Sequence, residues 1–251
     1  MTYRLFSKWI TCPRPSPDAT LRLFCLPFAG GGASIYRAWA TMLPSWIEVC
    51  PIQLPGREDR YREAAFTNLI GLSRALSREL TPYLDKPFAL FGHSLGALLA
   101  FEVARSLRHA EAPAPLAMCL AAYPAPHVPS ARAPIHQLPD PEFIDQMRRL
   151  QGTPDAVLAN RELMEFVLPI LRADFQACDT YVSAPEPPLA CPFFVFGGTE
   201  DVEVGAPDLE RWRELTSGSF SLRMLPGTHF FVQSQRQPLL AALGAHLARL
   251  V

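Results

Sequence analysis

The stretch FALFGHSLGALLAFEVA, residues 88–104, sets one serine, Ser94, between Gly92 and Gly96 where an apolar run meets a helical pattern. A serine at a strand-to-helix turn can act as a nucleophile when the turn lifts its hydroxyl clear of the sheet. Such a turn strains the backbone and brings neighbouring chain close two residues before and two after. A Cβ at either glycine would clash there. The N-terminal N–H groups of the following helix also face the site and favour developing negative charge. Ser94 is therefore the candidate nucleophile, with Gly92 and Gly96 forming its elbow.

A serine hydroxyl needs a base, and the base needs an acid to orient it. In open parallel-sheet hydrolases the chain order is serine, acid, histidine. Six histidines are available. His93 adjoins the nucleophile and should point away, and His109 ends a helix. His127 and His136 lie in a proline-rich stretch, and His246 is expected at the surface of the closing helix. His229 remains, in MLPGTHFF, where Gly227 permits a tight loop after the last strand. For the acid, Asp201 lies just past a strand end in FFVFGGTEDVEV, with Glu200 and Glu203 as competitors. The shorter aspartate, framed by Gly198 and Val204, fits that loop best.

A tetrahedral oxyanion needs N–H donors. One should be Leu95, the residue after the nucleophile. The other should come from the loop LPFAGGGAS, residues 26–34, with Ala29 N–H as the main candidate and Phe28 as the alternative. The glycines of this loop do not make a phosphate cradle. No Lys-Ser or Lys-Thr follows them, and a G-x-G-x-x-G frame begun at Gly30 meets Ile35 where glycine is needed. No H-E-x-x-H zinc spacing occurs, and acyl transfer through serine calls for no metal and no cofactor.

The elements that must position these residues can be read from the apolar pattern. Strands are expected over residues 20–27, 47–56, 88–92, 116–122, 191–198 and 220–225. Helices are expected through Leu69, Leu72, Leu76 and Leu80 behind Thr67 or Asn68, from Leu95 to Leu107, and through Leu209, Trp212 and Leu215. A closing helix carries Leu239, Leu240, Leu243, Leu247 and Leu250, with Pro238 in its first turn. Continuous apolar strands alternating with helices indicate an α/β fold, a mostly parallel sheet covered on both faces. Nearly seventy residues separate the strand ending at Ala122 from that starting at Cys191, too many for an ordinary connection. They open proline-rich and carry helical patterns through Phe143, Ile144, Met147 and Leu150, then Leu163, Phe166, Val167, Ile170, Leu171 and Phe175. The expectation is one domain, residues 1–251, with residues 123–190 inserted as a helical lid.

Composition narrows the class. With 49% hydrophobic and 19% charged residues over 251 positions, the chain can bury a sizeable core. A net charge of −1 with no basic block argues against nucleic acid and against docking on a membrane surface. No run of about 18 apolar residues occurs, and residues 1–20 lack a signal-peptide core. Six cysteines without a C-x-x-C pair read as reduced, mostly buried thiols. A cytoplasmic location and a monomer are expected.

Five blocks then carry a family resemblance: LFCLPFAGGGAS, QLPGREDR, FGHSLGALLAFEVAR, VFGGTEDVEV and PGTHFFV, in this order along almost the whole chain. The chain resembles the type II thioesterases, free-standing α/β-hydrolases that accompany nonribosomal peptide and polyketide synthases. The resemblance implies hydrolysis of acyl groups from the phosphopantetheine arm of acyl- or peptidyl-carrier domains. The role would be editing, the clearing of stalled or misprimed units. By motif position Ser94, Asp201 and His229 correspond to the family's triad, and the loop before GGGAS to its oxyanion loop. Thr228 departs from the pattern, which often has a second glycine before the histidine.

Two other functions fit parts of the sequence. A general carboxylesterase or lipase would share the fold and prefer oxygen esters. A non-catalytic carrier-binding protein would keep its function in Ser94→Ala. Arg57, Arg60, Arg132, Arg148 and Arg149 are candidate contacts for an acidic carrier face. Reversing the charge of Arg57 or Arg60 is expected to perturb folding instead, because a charged turn after a strand often anchors locally.

Overall fold

The computed structural model describes residues 7–128, 133–150 and 160–251. Six strands make one sheet: β1 (Leu21–Leu26), β2 (Ile47–Pro51), β3 (Phe88–His93), β4 (Ala117–Ala121), β5 (Phe193–Gly198) and β6 (Phe220–Leu225). Their order is β2-β1-β3-β4-β5-β6, and every neighbouring pair is parallel. β1 to β5 are buried along their length, which explains their largely apolar sequences; the charges among them, Arg22 of β1 and Glu48 of β2, pair with each other at 2.7 Å.

Among the described residues the α-helices are α1 (Trp39–Met42), α2 (Leu69–Leu80), α3 (Leu95–His109), α4 (Asp140–Leu150), α5 (Arg161–Asp179), α6 (Ala206–Glu210), α7 (Phe231–Ser234) and α8 (Arg236–Leu247). The cores on the two sheet faces are distinct. One joins Phe24, Leu90 and Met118 to the apolar faces of α2 and α3. The other joins Leu23, Phe91 and Cys119 to Trp39 and to Leu239, Leu240 and Leu243 of α8. α2 starts where the Asn68 side chain accepts the Gly71 N–H at 2.8 Å, and it buries Leu69, Leu72, Leu76 and Leu80.

The strand order reverses between β1 and β3. In an open parallel sheet that switch point leaves a crevice beyond the strands' carboxyl ends. β1 runs into the loop 26–34 there, and β3 into Ser94, so the topology alone brings both to one place.

Two expectations need correction. The pattern Leu209, Trp212, Leu215 is not one α-helix: α6 passes into a 3₁₀ turn over Arg211–Leu215. A strict spacing of three is the 3₁₀ period, and it points Leu209 and Trp212 into the core. His246 is not a surface residue. It is half-buried and stacks on Phe194 with centroids 4.2 Å apart, and burial lowers its pKa.

Between β4 and β5 lie α4 and α5. They form a small core of their own from Ile135, Phe143, Met147, Met164 and Leu171. The Asn160 side chain caps α5 by accepting the Leu163 N–H at 3.1 Å. α5 runs through Pro169, which gives up one helical hydrogen bond. Among the described residues no helix is long and apolar enough to cross a membrane.

Candidate active site

Ser94 has φ +54° and ψ −121°, a region that side-chain-bearing residues rarely adopt. Its N–H still continues the sheet, donating to Ala121 O at 2.8 Å, while its side chain leaves the end of β3. Strain of this kind costs about 1–3 kcal/mol and persists only where the surroundings hold it. Here two close approaches hold it. A Cβ on Gly92 would stand 2.1 Å from Gly96 O, and one on Gly96 would stand 2.2 Å from Leu26 O. The N-terminus of α3 is thereby pressed against the end of β1.

Ser94 Oγ lies 3.0 Å from His229 Nε2, and His229 Nδ1 lies 2.8 Å from Asp201 Oδ2. A carboxylate only accepts, so Nδ1 carries the proton and Nε2 is left to accept from the serine hydroxyl. The Asp201 side chain has no solvent exposure. Its other oxygen accepts the N–H groups of Glu203 and Val204 at 2.9 and 3.2 Å. Glu200 and Glu203 are exposed, and it is Asp201 that meets the imidazole.

The loops after β5 and β6 are stitched together to make this contact. Thr199 N donates to Leu225 O at 2.8 Å, and Glu200 N to Gly227 O at 2.9 Å. Gly198 faces the second loop so closely that a Cβ there would stand 2.4 Å from Gly227 O. Gly227 itself turns at φ +114°. Thr228 is accommodated, its carbonyl accepting the Phe231 N–H at 3.0 Å as α7 begins.

His93 points away from the cleft, as its position beside the nucleophile suggested. Its ring lies 2.8 Å from the His229 carbonyl, so Nε2–H is the donor. Burial, and then the facing His229 ring, pull its pKa down to about 3. Phe28 and Phe230 pack edge-on against it. The remaining histidines serve other pairs: His109 with Glu186 at 3.0 Å, His127 with Glu214 at 2.9 Å, and His136 with Asp179 at 2.9 Å.

The loop after β1 makes a tight turn, Gly31 N donating to Phe28 O at 2.9 Å with Gly30 at φ +77°. The N–H groups of Ala29 and Leu95 donate to no protein acceptor among the described residues. Both residues line a cavity of about 760 Å³ that opens on Ser94 and His229. Phe101, Met147, Leu171 and Phe175 are among its walls, so α4 and α5 help to enclose it.

The arginines fall differently from expectation. Arg57 and Arg60 are buried, and neither can meet a partner's surface. Arg60 lies over the Trp9 ring at 4.2 Å and donates to Gln53 O at 2.8 Å. Arg57 forms a two-pronged pair with Asp174 of α5, with bonds of 2.7 and 2.8 Å. Sequence reading missed Asp174, although an acid within the apolar stripe of an expected helix was a signal. Arg148 and Arg149 are exposed on α4, and Arg132 lies outside the described residues.

A family model described as a thioesterase domain matches residues 21–247. The chain is 43% identical over 244 residues to the protein named linear gramicidin dehydrogenase LgrE of Brevibacillus parabrevis, covering 96% of this chain and 93% of that one. Among solved structures it is similar to the RedJ thioesterase of the prodiginine pathway in Streptomyces coelicolor. There the TM-score is 0.87 at 41% identity, over 92% of each chain. The type II thioesterase BorB from the borrelidin biosynthetic cluster gives a TM-score of 0.87 at 36% identity, covering 95% of this chain and 97% of that one.

Proposed function

The chain belongs to the thioesterase domain family, and from that premise we propose that it hydrolyses acyl thioesters on the phosphopantetheine arm of acyl- or peptidyl-carrier domains. The role is editing within a peptide or polyketide synthase, where stalled or misprimed units block the carrier. A relative named for linear gramicidin, and solved structures from the prodiginine and borrelidin biosynthetic pathways, support that setting.

One observation carries the chemistry: the hydrogen-bonded series Ser94, His229, Asp201 opens on a cavity of about 760 Å³. His229 Nε2 takes the hydroxyl proton as Ser94 Oγ attacks the thioester carbonyl. The N–H groups of Leu95 and Ala29 receive the oxyanion, aided by the N-terminus of α3. His229 then protonates the departing thiolate. A water, deprotonated by His229, attacks the acyl-serine, and His229 returns that proton to Ser94 Oγ as the acid leaves. Asp201 holds the tautomer and stabilises the imidazolium throughout. Residues 123–190 act as the lid that shapes the acyl pocket.

With Arg57 and Arg60 buried, the exposed α4 arginines Arg148 and Arg149 are the surviving candidates for an acidic carrier face. The word dehydrogenase in one relative's name has no counterpart here, since Ile35 stands where a dinucleotide fingerprint begun at Gly30 needs glycine.

The test is single-turnover hydrolysis of an acyl-loaded carrier protein beside a matched oxygen ester, with Ser94→Ala as control. Faster carrier clearance, reduced on the order of 10⁴-fold in Ser94→Ala, is expected. Preference for the free ester would redirect the reading to a general esterase, and full turnover by Ser94→Ala would end it.

A further inference from the structure

The Arg57–Asp174 pair lies outside the triad, yet it touches the loop that carries the Ala29 N–H. Both side chains are almost fully buried, at 4% and 2% exposure. Asp174 Oδ2 accepts from Arg57 Nη1 and also from the Gly30 N–H, each at 2.7 Å. Arg57 Nη1 reaches Gly31 O at 3.3 Å. Gln53 holds the next part of the same loop, accepting the Ala33 N–H at 2.9 Å and donating to Arg57 O at 2.8 Å. Leu171, one helical turn before Asp174, rests on the turn so closely that a Gly30 Cβ would stand 2.7 Å from its methyl.

The turn itself gives these bonds a consequence. A turn over residues 28–31 with φ +77° at its third residue is of type II, in which the central peptide is turned over relative to type I. That central peptide is Ala29–Gly30, and its N–H is the one Asp174 accepts. Without the carboxylate a buried N–H loses its acceptor, and the peptide gains reason to turn back. Its neighbour, the Phe28–Ala29 peptide, carries the Ala29 N–H and would move with it.

We propose that Arg57 and Asp174 are positioning residues: through the Gly30 N–H, Asp174 latches α5 to the loop after β1 and thereby aims the Ala29 N–H at the oxyanion. Arg57, bonded to both of its oxygens, holds that carboxylate in place. The hole is complete only while α5 is docked, so the inserted segment controls the chemical step as well as the shape of the pocket. This assignment rests on Ser94 and the Ala29 and Leu95 N–H groups acting as described under the proposed function.

The test uses the full chain and an acyl-N-acetylcysteamine thioester, a small substrate that removes carrier docking from the measurement. The double variant Arg57→Met/Asp174→Leu replaces the buried pair with apolar side chains, an exchange that often preserves folding. Its melting temperature is expected near wild type, its KM within about threefold, and its kcat about 100-fold lower, as for loss of one oxyanion donor. Phosphonylation of Ser94 by a fluorophosphonate, which needs the same hole, should slow in parallel. Arg57→Lys keeps a donor to Asp174 and should restore most of kcat. Rates are normalised to the fraction of serine that titrates to completion and taken well below each variant's melting point, so an unstable variant still reports. An unchanged kcat in the normalised double variant overturns the latch. If Ser94→Ala also retained turnover, the serine-hydrolase reading would fall with it; if Ser94→Ala is dead, only the latch falls.

Discussion

At Ser94 a single residue concentrates the backbone cost of the site, and the two glycines beside it show why the sequence must be written as it is. Gly96→Ala would push a methyl into Leu26 O, backbone against backbone, with nowhere to relax. We expect it to lower unfolding free energy by at least about 3 kcal/mol in urea titrations and to abolish turnover. A normal midpoint would mean that β1 and α3 can separate. His93 makes a second prediction, about pH. The unfolded chain protonates His93 near 6.5, whereas the folded chain resists protonation until about 3. Its contribution to stability is therefore complete above 6.5 and drains away as pH falls toward 3. His93→Gln keeps an N–H for the His229 carbonyl but cannot titrate. It should lose less stability than wild type between about pH 7 and pH 4, on the order of a few kcal/mol of difference. Parallel curves would assign the acid sensitivity to other groups.

At the scale of elements, the inserted segment behaves as a unit fastened at both flanks. α5 is latched to the loop after β1 through Asp174. The return leg toward β5 is fastened to α3 by arginines: Arg105 donates to Ala184 O at 2.7 Å, and Arg108 to Pro187 O at 2.8 Å and to Glu186 at 2.5 Å. Partial burial pushes the Glu186 carboxyl up, but hydrogen bonds from Arg105 and Arg108 outweigh it and hold its pKa at about 2. Its stabilisation is thus present above the unfolded value of 4.5 and lost as pH falls toward 2. Glu186→Gln should melt lower than wild type at neutral pH, by about 1 kcal/mol, and converge with it in strong acid. A constant gap at all pH values would point to packing. Leu171 belongs to the small core of the insertion and to the cavity wall at once. Leu171→Ala should cost about 2–3 kcal/mol and raise kcat/KM for bulkier acyl groups relative to short ones. Chain-length profiles measure this, and an unchanged profile would remove Leu171 from the acyl pocket.

For the molecule as a whole, a small net charge leaves little long-range field to steer a carrier. Docking then depends on local patches. Arg149→Glu, and Arg148→Glu beside it, should raise KM for an acyl-carrier substrate several-fold and leave the N-acetylcysteamine thioester unaffected. Arg148 already pairs with Asp145 at 2.5 Å, so the larger effect should come from Arg149. Equal effects on both substrates would instead indicate a disturbed lid.

The sequence by itself determined the order of strands and helices, the parallel sheet and the residues Ser94, Asp201 and His229 that the fold brings within hydrogen-bonding reach. It could do so because buried parallel strands are largely apolar, and because Gly92 packs against Gly96 within the same turn. Tertiary structure alone decided the fate of the charged and aromatic residues whose partners are distant in the chain. Arg57 and Arg60 stand in a polar run that reads as exposed; Arg57 is buried because Asp174, 117 positions later, neutralises it, and Arg60 because Trp9 covers it while nearby Glu63 pairs its charge. His246 reads as a surface residue of the closing helix, yet Phe194 of β5 stacks on it and half-buries it. Local spacing reports what a residue's neighbours demand, whereas burial of a charge is settled by whichever distant group arrives to neutralise it.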